Sequence, residues 1–519
     1  MQPSQPSARL IRWSHGALLL AILALTFRSA QAQAGSNGPA TPDFAAIDRY
    51  VEAQMGEQRI PGLALGIVKG DQIVHLRGFG VASPDGTPMT ARTPLSIGSL
   101  TKSFTAVAIM QLVEAGRLEL EAPVQRYLPW FQIADPVASA RITLRQLLSH
   151  SSGLPRTLDT EYENRPDEGA DTLERRLRSL APMALEQAPG TYGYSNAGYQ
   201  VLAMVLQQVT GQSYEEYVGE HIFAALGMGQ SFTALNAANE HGMATGHHYW
   251  FGVPVASGLP GYRVGPGNGG LFSSAEDMGR YLIAHLNEGR LGDASILSPE
   301  GLAALHQPVV TQAPAPGWYA LGWGVQATAG ITTLAHSGQS YNYLAKMLLV
   351  PEEEWGVVVL QNAQYTVRFL SGDLNQDQIA DGVMGMLRGR PLPAPYSRSR
   401  FFLIYTGFGL LVLGQVLGIW RTATMVRRWS RQPARRPQRW TQKLGRIGLP
   451  VALNLAWAAT TLIGIPLAVG QEVAYQIPDL SATLLASGVL ALVSALIRVV
   501  GIVGRGRRAA RVEIGSAAI

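Results

Sequence analysis

Three uncharged apolar stretches sit at the end of this chain: Phe401 to Trp420, Ile447 to Gly470 and Leu480 to Ile497. A helix needs about 20 apolar residues to cross a bilayer, and in lipid a backbone can satisfy its N–H and C=O groups only internally. The sequence therefore predicts three transmembrane helices over 401–420, 447–470 and 480–503. The loop between the first two carries Arg421, Arg427, Arg428, Arg431, Arg435, Arg436, Arg439, Lys443 and Arg446. The next loop holds Glu472 and Asp479 and no basic residue. Because positive charge collects on the cytoplasmic side, the first loop and the tail with Arg505, Arg507, Arg508 and Arg511 are expected in the cytoplasm, and everything before Phe401 outside it. The start of the chain agrees. Arg9 and Arg12, the apolar run Ala17 to Leu25 and then Ala30-Gln31-Ala32 have the layout of a cleavable signal peptide over residues 1–32, which predicts a bacterial membrane protein with a periplasmic or extracytoplasmic domain.

The formal charge of +5 and pI near 9.3 do not describe one basic surface. From Arg398 onward 16 basic residues face three acidic ones, a surplus of +13, so the remaining residues carry −8. The basicity belongs to the membrane-facing tail, beside anionic headgroups, which points to membrane lipid as a partner and away from nucleic acid. Zero cysteines exclude disulfides, thiolate metal sites and a cysteine nucleophile.

Between the signal and a Pro-rich linker at 391–400, residues 33–390 read as one large α/β (α+β) domain. Ile47 to Met55 has a helical pattern, and Leu63 to Lys69 and Gln72 to Gly80 alternate like strands around Gly70-Asp71. Ile331 to His336, Tyr343 to Val350 and Trp355 to Gln361 read as three more strands, followed by a helix from about Val367 to Leu387. Leu118 to Leu305 is mostly helical signal. Terminal strands around a helical insertion predict an antiparallel sheet flanked by helices, with a mainly helical lobe beside it.

Ser99-Leu100-Thr101-Lys102 opens the apolar helical run Phe104 to Met110. Residues three apart share a helix face, so the Lys102 amine can take the proton of the Ser99 hydroxyl, and a helix N-terminus favours developing negative charge. A second element, Tyr194-Ser195-Asn196, precedes a helix from Ala197 to Val209; a phenol can shuttle a proton and an amide can hold a substrate amide. Tyr162-Glu163-Asn164 is a rival in a charged stretch that reads as a surface loop. A third, His336-Ser337-Gly338, leads out of the strand ending at Ala335, where backbone N–H groups can bind an extended substrate and complete an oxyanion hole. His150-Ser151-Ser152-Gly153 is a near-copy behind a helix, where a histidine is more often structural. Tyr249, Trp250, Phe251 and Tyr262 are candidates for pocket walls or for ordinary packing.

The ordered set Ser99-x-x-Lys102, Tyr194-x-Asn196, His336-x-Gly338 resembles the penicillin-recognising serine hydrolases: class C β-lactamases, D-Ala-D-Ala carboxypeptidases and β-lactamase-like esterases. Flanking segments are similar too, among them Leu147 to Leu154, Pro189 to Tyr199 and Gly269 to Met278. The resemblance implies Ser99 as acylated nucleophile, Lys102 and Tyr194 as its proton-transfer partners, and Asn196 as holder of the substrate amide. It implies that His336, Ser337, Gly338 and Gln339 bind substrate, the N–H groups of Ser99 and Gln339 forming the oxyanion hole. It implies no metal and no organic cofactor. The substrate would be a D-Ala-D-Ala-type peptide, a β-lactam or a small ester; the alternative is a penicillin-type sensor that stays acylated. Class C β-lactamases carry lysine where this chain has His336, so a fixed charge is missing, and activity on carboxylate-bearing substrates is expected to improve below about pH 6.5 as His336 protonates.

Overall fold

The computed structural model describes residues 42–156, 172–257, 265–364, 378–390, 392, 398–432, 437–465 and 478–516. The signal peptide, Tyr162-Glu163-Asn164, Tyr262 and most of the linker lie outside the described residues. The central element is an eight-stranded antiparallel sheet. Its strands are β1 (Gly62–Lys69), β2 (Gln72–Gly80), β3 (Val310–Thr311), β4 (Trp318–Tyr319), β5 (Gly324–Thr328), β6 (Ile331–Ser340), β7 (Tyr343–Val350) and β8 (Trp355–Gln361), in the order β2-β1-β8-β7-β6-β5-β4-β3. The first hairpin joins the last strands through β1 against β8, Leu63 facing Gln361 and Lys69 facing Trp355. The helices used below are α1 (Phe44–Gln58), α2 (Thr101–Glu114), α3 (Leu144–Leu148), α4 (Asn196–Thr210), α5 (Ala275–Leu286) and α6 (Gln378–Leu387).

Helices cover both faces of the sheet, which is why β7 is buried along its whole length and β8 nearly so. Successive side chains of a strand alternate between faces. Val357 and Val359 thus pack with Leu63, Leu65 and Ile67 against Ile47 and Val51 of α1 and Ile379 and Val383 of α6. Val358 and Leu360 join the larger core under the helical lobe, with Phe104 and Val107 of α2, Tyr199 and Val201 of α4 and Leu282 of α5. At roughly 1.5 to 3 kcal/mol for each fully buried large apolar side chain, these two layers carry the domain.

The strands expected at 63–69, 72–80, 343–350 and 355–361 form with those limits or within one residue of them, and the expected antiparallel sheet with a helical lobe is the observed fold. Two differences matter. The strand expected to end at His336 runs on to Ser340, because Ser337, Gly338 and Gln339 keep pairing with Lys346, Ala345 and Leu344. Three further edge strands, β3 to β5, follow the helical region; two of them are only two residues long, too short to leave a periodic pattern. Of the closing helix, Gln378–Leu387 is described, and residues 365–377 lie outside the described residues.

Three helical segments are long and apolar enough to cross a membrane: Phe402–Arg431, Trp440–Gly464 and Pro478–Val500. The first helix already starts at Arg398 and continues past Trp420, so Arg421, Arg427, Arg428 and Arg431 extend a helix rather than a loop. Long arginine stems can reach an interface from there. The helices pack through small and polar groups, as lipid-embedded helices do. Trp457 Nε1–H donates to Ser487 Oγ at 2.9 Å, Arg498 Nε–H to Thr422 Oγ1 at 2.9 Å, and a Cβ on Gly488 would stand 2.2 Å from Thr461 Oγ1. The hydrolase-like domain meets them at a hairpin, His247–Trp250 with Val253–Ala256. The Phe251 N–H and the Tyr405 hydroxyl both donate to buried Asp479 Oδ2, at 2.8 and 2.5 Å. Tyr249 is core, its hydroxyl donating to Gln58 O at 3.1 Å, while Phe251 lies against Tyr405; these aromatics are packing and contact groups.

Candidate active site

Ser99 stands in a 3-10 turn, Gly98–Leu100, that runs directly into α2. Lys102, in the first turn of α2, is fully buried, so it is no surface lysine. Its Nζ lies 3.0 Å from Ser99 Oγ and donates to Asn268 O at 2.7 Å. Rings of Tyr194 and Tyr199 lie 4.8 and 5.5 Å from the same nitrogen. No carboxylate is recorded as an ion-pair partner of Lys102 among the described residues. Burial, reinforced by the positive charge of Arg156, pulls its pKa well below the ordinary 10.5. A neutral amine has the lone pair that a proton acceptor needs.

Tyr194 completes the contact set, its hydroxyl donating to Ser99 Oγ at 2.8 Å. Burial raises its pKa, opposed by the hydrogen bond to Ser99, and this holds the phenol protonated. Ser195 fixes the backbone behind it. Its hydroxyl donates to Pro155 O at 2.7 Å and caps α4 by accepting from the Gly198 N–H at 3.0 Å. Asn196 opens α4 at the cleft lining, with a buried Oδ1 that has no hydrogen-bond partner among the described residues. A buried unpaired acceptor costs about 1 to 3 kcal/mol, so an incoming N–H would be stabilised there.

The opposite wall is β6. His336 is buried; its Nδ1 lies 2.8 Å from Ser337 O, which requires N–H at that nitrogen, and Nε2 accepts from the Tyr319 hydroxyl at 2.9 Å. In the neutral ring this leaves Nε2 free to accept from the Tyr319 hydroxyl. Burial pushes its pKa down to about 3. The expected gain below pH 6.5 is therefore corrected: the ring is too deeply desolvated to charge there, a property that sequence spacing does not carry. Alternation turns Ser337 and Gln339 to the other face, where Lys346 pairs with Asp381 of α6 at 2.9 Å, so near Ser99 these two contribute backbone. Glycine is required where the walls touch. A Cβ on Gly338 would sit 2.0 Å from Ile97 O, and Gly98 (φ +49°) approaches so closely that its Cβ would stand 2.7 Å from Gln339 N. The turn of Ser99 and the strand of Gln339 are thereby brought together.

The structure thus gathers Ser99, Tyr194, Asn196, His336, Ser337 and Gln339 around one open cleft of about 850 Å³, with Lys102 buried behind Ser99 and Gly338 held against Ile97. Several further groups shape it, of which sequence reasoning expects His150 as structural and misses Asn268, Tyr192, Tyr319 and Arg156. His150, in the near-copy after α3, accepts the Ser195 N–H on Nδ1 at 3.1 Å and lies tilted against the Tyr194 ring, 4.2 Å between centroids, so it positions the second element. Burial lowers its pKa well below 6.5. Asn268 acts through its carbonyl, which no side-chain motif reveals; the surrounding run Gly265-Pro266-Gly267-Asn268-Gly269-Gly270 was the available signal. Tyr192, Tyr319 and Arg156 line the cleft as well. No group of three His, Cys, Asp or Glu that could hold a metal occurs among the described residues.

Comparisons with known proteins bear on the family and the fold. A family profile described as Beta-lactamase matches residues 47–381. Penicillin-binding protein 4 of Amycolatopsis lactamdurans is 28% identical over 368 residues, covering 68% of this chain and 93% of that protein. Protein flp of Staphylococcus aureus is 28% identical, covering 61% of this chain and 62% of its own length. The unguisins hydrolase of Aspergillus campestris is 27% identical, with 64% of each covered. Among solved structures, the octameric penicillin-binding protein homologue from Pyrococcus abyssi aligns with a TM-score of 0.57 and 27% identity over 67% of this chain and 78% of that one. A class C beta lactamase from Rhodobacter sphaeroides shares the fold, with a TM-score of 0.53 and 24% identity over 66% and 98%. With two thirds of its length matched by the family profile and a serine, lysine and tyrosine in mutual contact, the chain belongs to the beta-lactamase family of serine hydrolases.

Proposed function

We propose that this protein is a membrane-tethered serine hydrolase that cleaves amide or ester bonds through an acyl-enzyme on Ser99. One observation carries the reading: Ser99 Oγ is held between Lys102 Nζ at 3.0 Å and the Tyr194 hydroxyl at 2.8 Å. The opposite pKa directions of Lys102 and Tyr194 support this division of roles. Neutral Lys102 takes the Ser99 proton as Oγ attacks the substrate carbonyl. The main-chain N–H groups of Ser99 and Gln339 receive the oxyanion, and Asn196 Oδ1 takes the N–H of a substrate amide. As the carbonyl–leaving group bond breaks, the proton passes through the Tyr194 hydroxyl to the departing oxygen or nitrogen. Water then attacks the ester with the same groups in reverse, giving the free acid and restoring Ser99. The candidate substrates are D-Ala-D-Ala-type peptides, β-lactams and small esters. The apolar helices and the asymmetric positive charge support an extracytoplasmic catalytic domain and a cytoplasmic C-terminus.

The test is intact-protein mass after incubation with a penicillin and, separately, with a nitrophenyl ester, in wild type and Ser99→Ala. The expected result is an adduct in wild type alone, decaying over repeated turnovers. An adduct that forms equally in Ser99→Ala overturns the reading.

A further inference from the structure

Among the described residues the charges lining the cleft are unbalanced. Lys102 and His336 are held toward their neutral forms, and Lys346 is paired with Asp381 at 2.9 Å. Among the described residues that leaves Arg156, exposed at the cleft. Among the described residues its guanidinium forms no ion pair and no hydrogen bond; its recorded side-chain contact is with the face of Tyr194, 5.3 Å from the ring centre. Glu186, the nearby carboxylate, instead accepts the Arg156 backbone N–H at 3.2 Å. On its other side the Arg156 carbonyl accepts the Asn196 N–H at 2.8 Å. The main chain of Arg156 is thus pinned by its N–H and its carbonyl, and the cation is set beside Asn196 on the same wall of the cleft.

From this arrangement we infer that Arg156 forms an anion subsite for a carboxylate on the acyl portion of the substrate, on the Asn196 side of the scissile carbonyl. The inference rests on the acyl-enzyme reading above and deepens it. A guanidinium offers a planar pair of N–H donors that matches a carboxylate, and an unpaired cation at a cleft edge draws in anions. The preferred substrate then carries an N–H for Asn196 and a carboxylate farther along the same acyl chain. The role lost at His336 on one wall is taken by a fixed charge on the other.

The test compares nitrophenyl esters of two acyl chains of equal length, one ending in a carboxylate and one in a methyl ester, and adds a third ester whose carboxylate lies on the leaving phenol. Wild type, Arg156→Gln and Arg156→Lys are assayed as full chains in detergent micelles. The expected result is that Arg156→Gln lowers the kcat/KM ratio of acyl-carboxylate over acyl-methyl ester by roughly 10- to 100-fold, with Arg156→Lys in between. The wild-type preference should shrink as salt is raised. An unchanged ratio in Arg156→Gln overturns the inference, and so does a loss confined to the ester with its carboxylate on the phenol. If wild type forms no Ser99 adduct with any of the three esters, the acyl-enzyme reading itself fails, which the mass measurement separates from failure of the subsite.

Discussion

The two walls of the cleft work by different means. On the helical wall the chemistry lies in side chains: Tyr194 and Asn196 line the cleft, Lys102 reaches Ser99 from the buried side, and His150 and Ser195 brace the second element from behind. On the strand wall the side chains turn away or are sealed, and what faces Ser99 is backbone, held close because residues 98 and 338 are glycines. The lesson is that a histidine in a Ser–Gly context can serve in two ways without being charged. His150 braces a phenol, and His336 is locked between Tyr319 and its neighbour's carbonyl.

If the helical wall depends on side chains, the largest effect comes from removing its amine. Lys102→Met fills similar volume without a proton acceptor, and kcat/KM for a nitrophenyl ester is expected to fall by about 10³-fold or more while the folded CD spectrum persists. Retained activity would break the comparison on that side. On the strand wall the sensitive position is the one with no side chain. Gly338→Ala places a Cβ at 2.0 Å from Ile97 O, so the walls must part. A misplacement of about 1 Å costs on the order of 10²-fold in rate, and Tm should drop by several degrees.

The smallest catalytic effect is expected at the other end of the strand motif. His336→Gln should change kcat/KM by less than about 10-fold and leave the pH profile between 5 and 9 unaltered, because the ring is already neutral there. Its signature is in acid stability. The folded pKa near 3 is depressed below the unfolded 6.5, so the unfolded chain binds the extra proton first. Wild type therefore has full stability above about pH 6.5 and loses it as pH falls toward 3, by up to a few kcal/mol. Urea unfolding of His336→Gln against wild type at pH 7 and pH 4 checks this: the variant should lose less on acidification, and equal losses would remove the buried neutral histidine from the account.

Much of this was legible beforehand, for physical reasons. β7 and β8 are continuous apolar runs because both faces of the sheet are covered, and β1 and β2 are joined by a Gly-Asp turn. Ser99 and Lys102 stand three residues apart, a spacing that by itself sets two side chains on one face. Three kinds of fact were not legible. The Asn268 contact runs through a carbonyl, which any residue has. The two-residue strands β3 and β4 are too short for a period. The charge of His336 depends on burial by Tyr319, which is a property of packing.

The central claim is that Lys102 is unprotonated in the resting enzyme and takes the Ser99 proton. The most direct measurement is the pH dependence of the single-turnover acylation rate of wild type with a nitrophenyl ester, followed from pH 5 to 11. A rate that reaches its plateau well below the ordinary lysine value of 10.5 is expected, with the rising limb absent in Lys102→Met. A rate that keeps climbing through 10.5, or an unchanged limb in the variant, would contradict it.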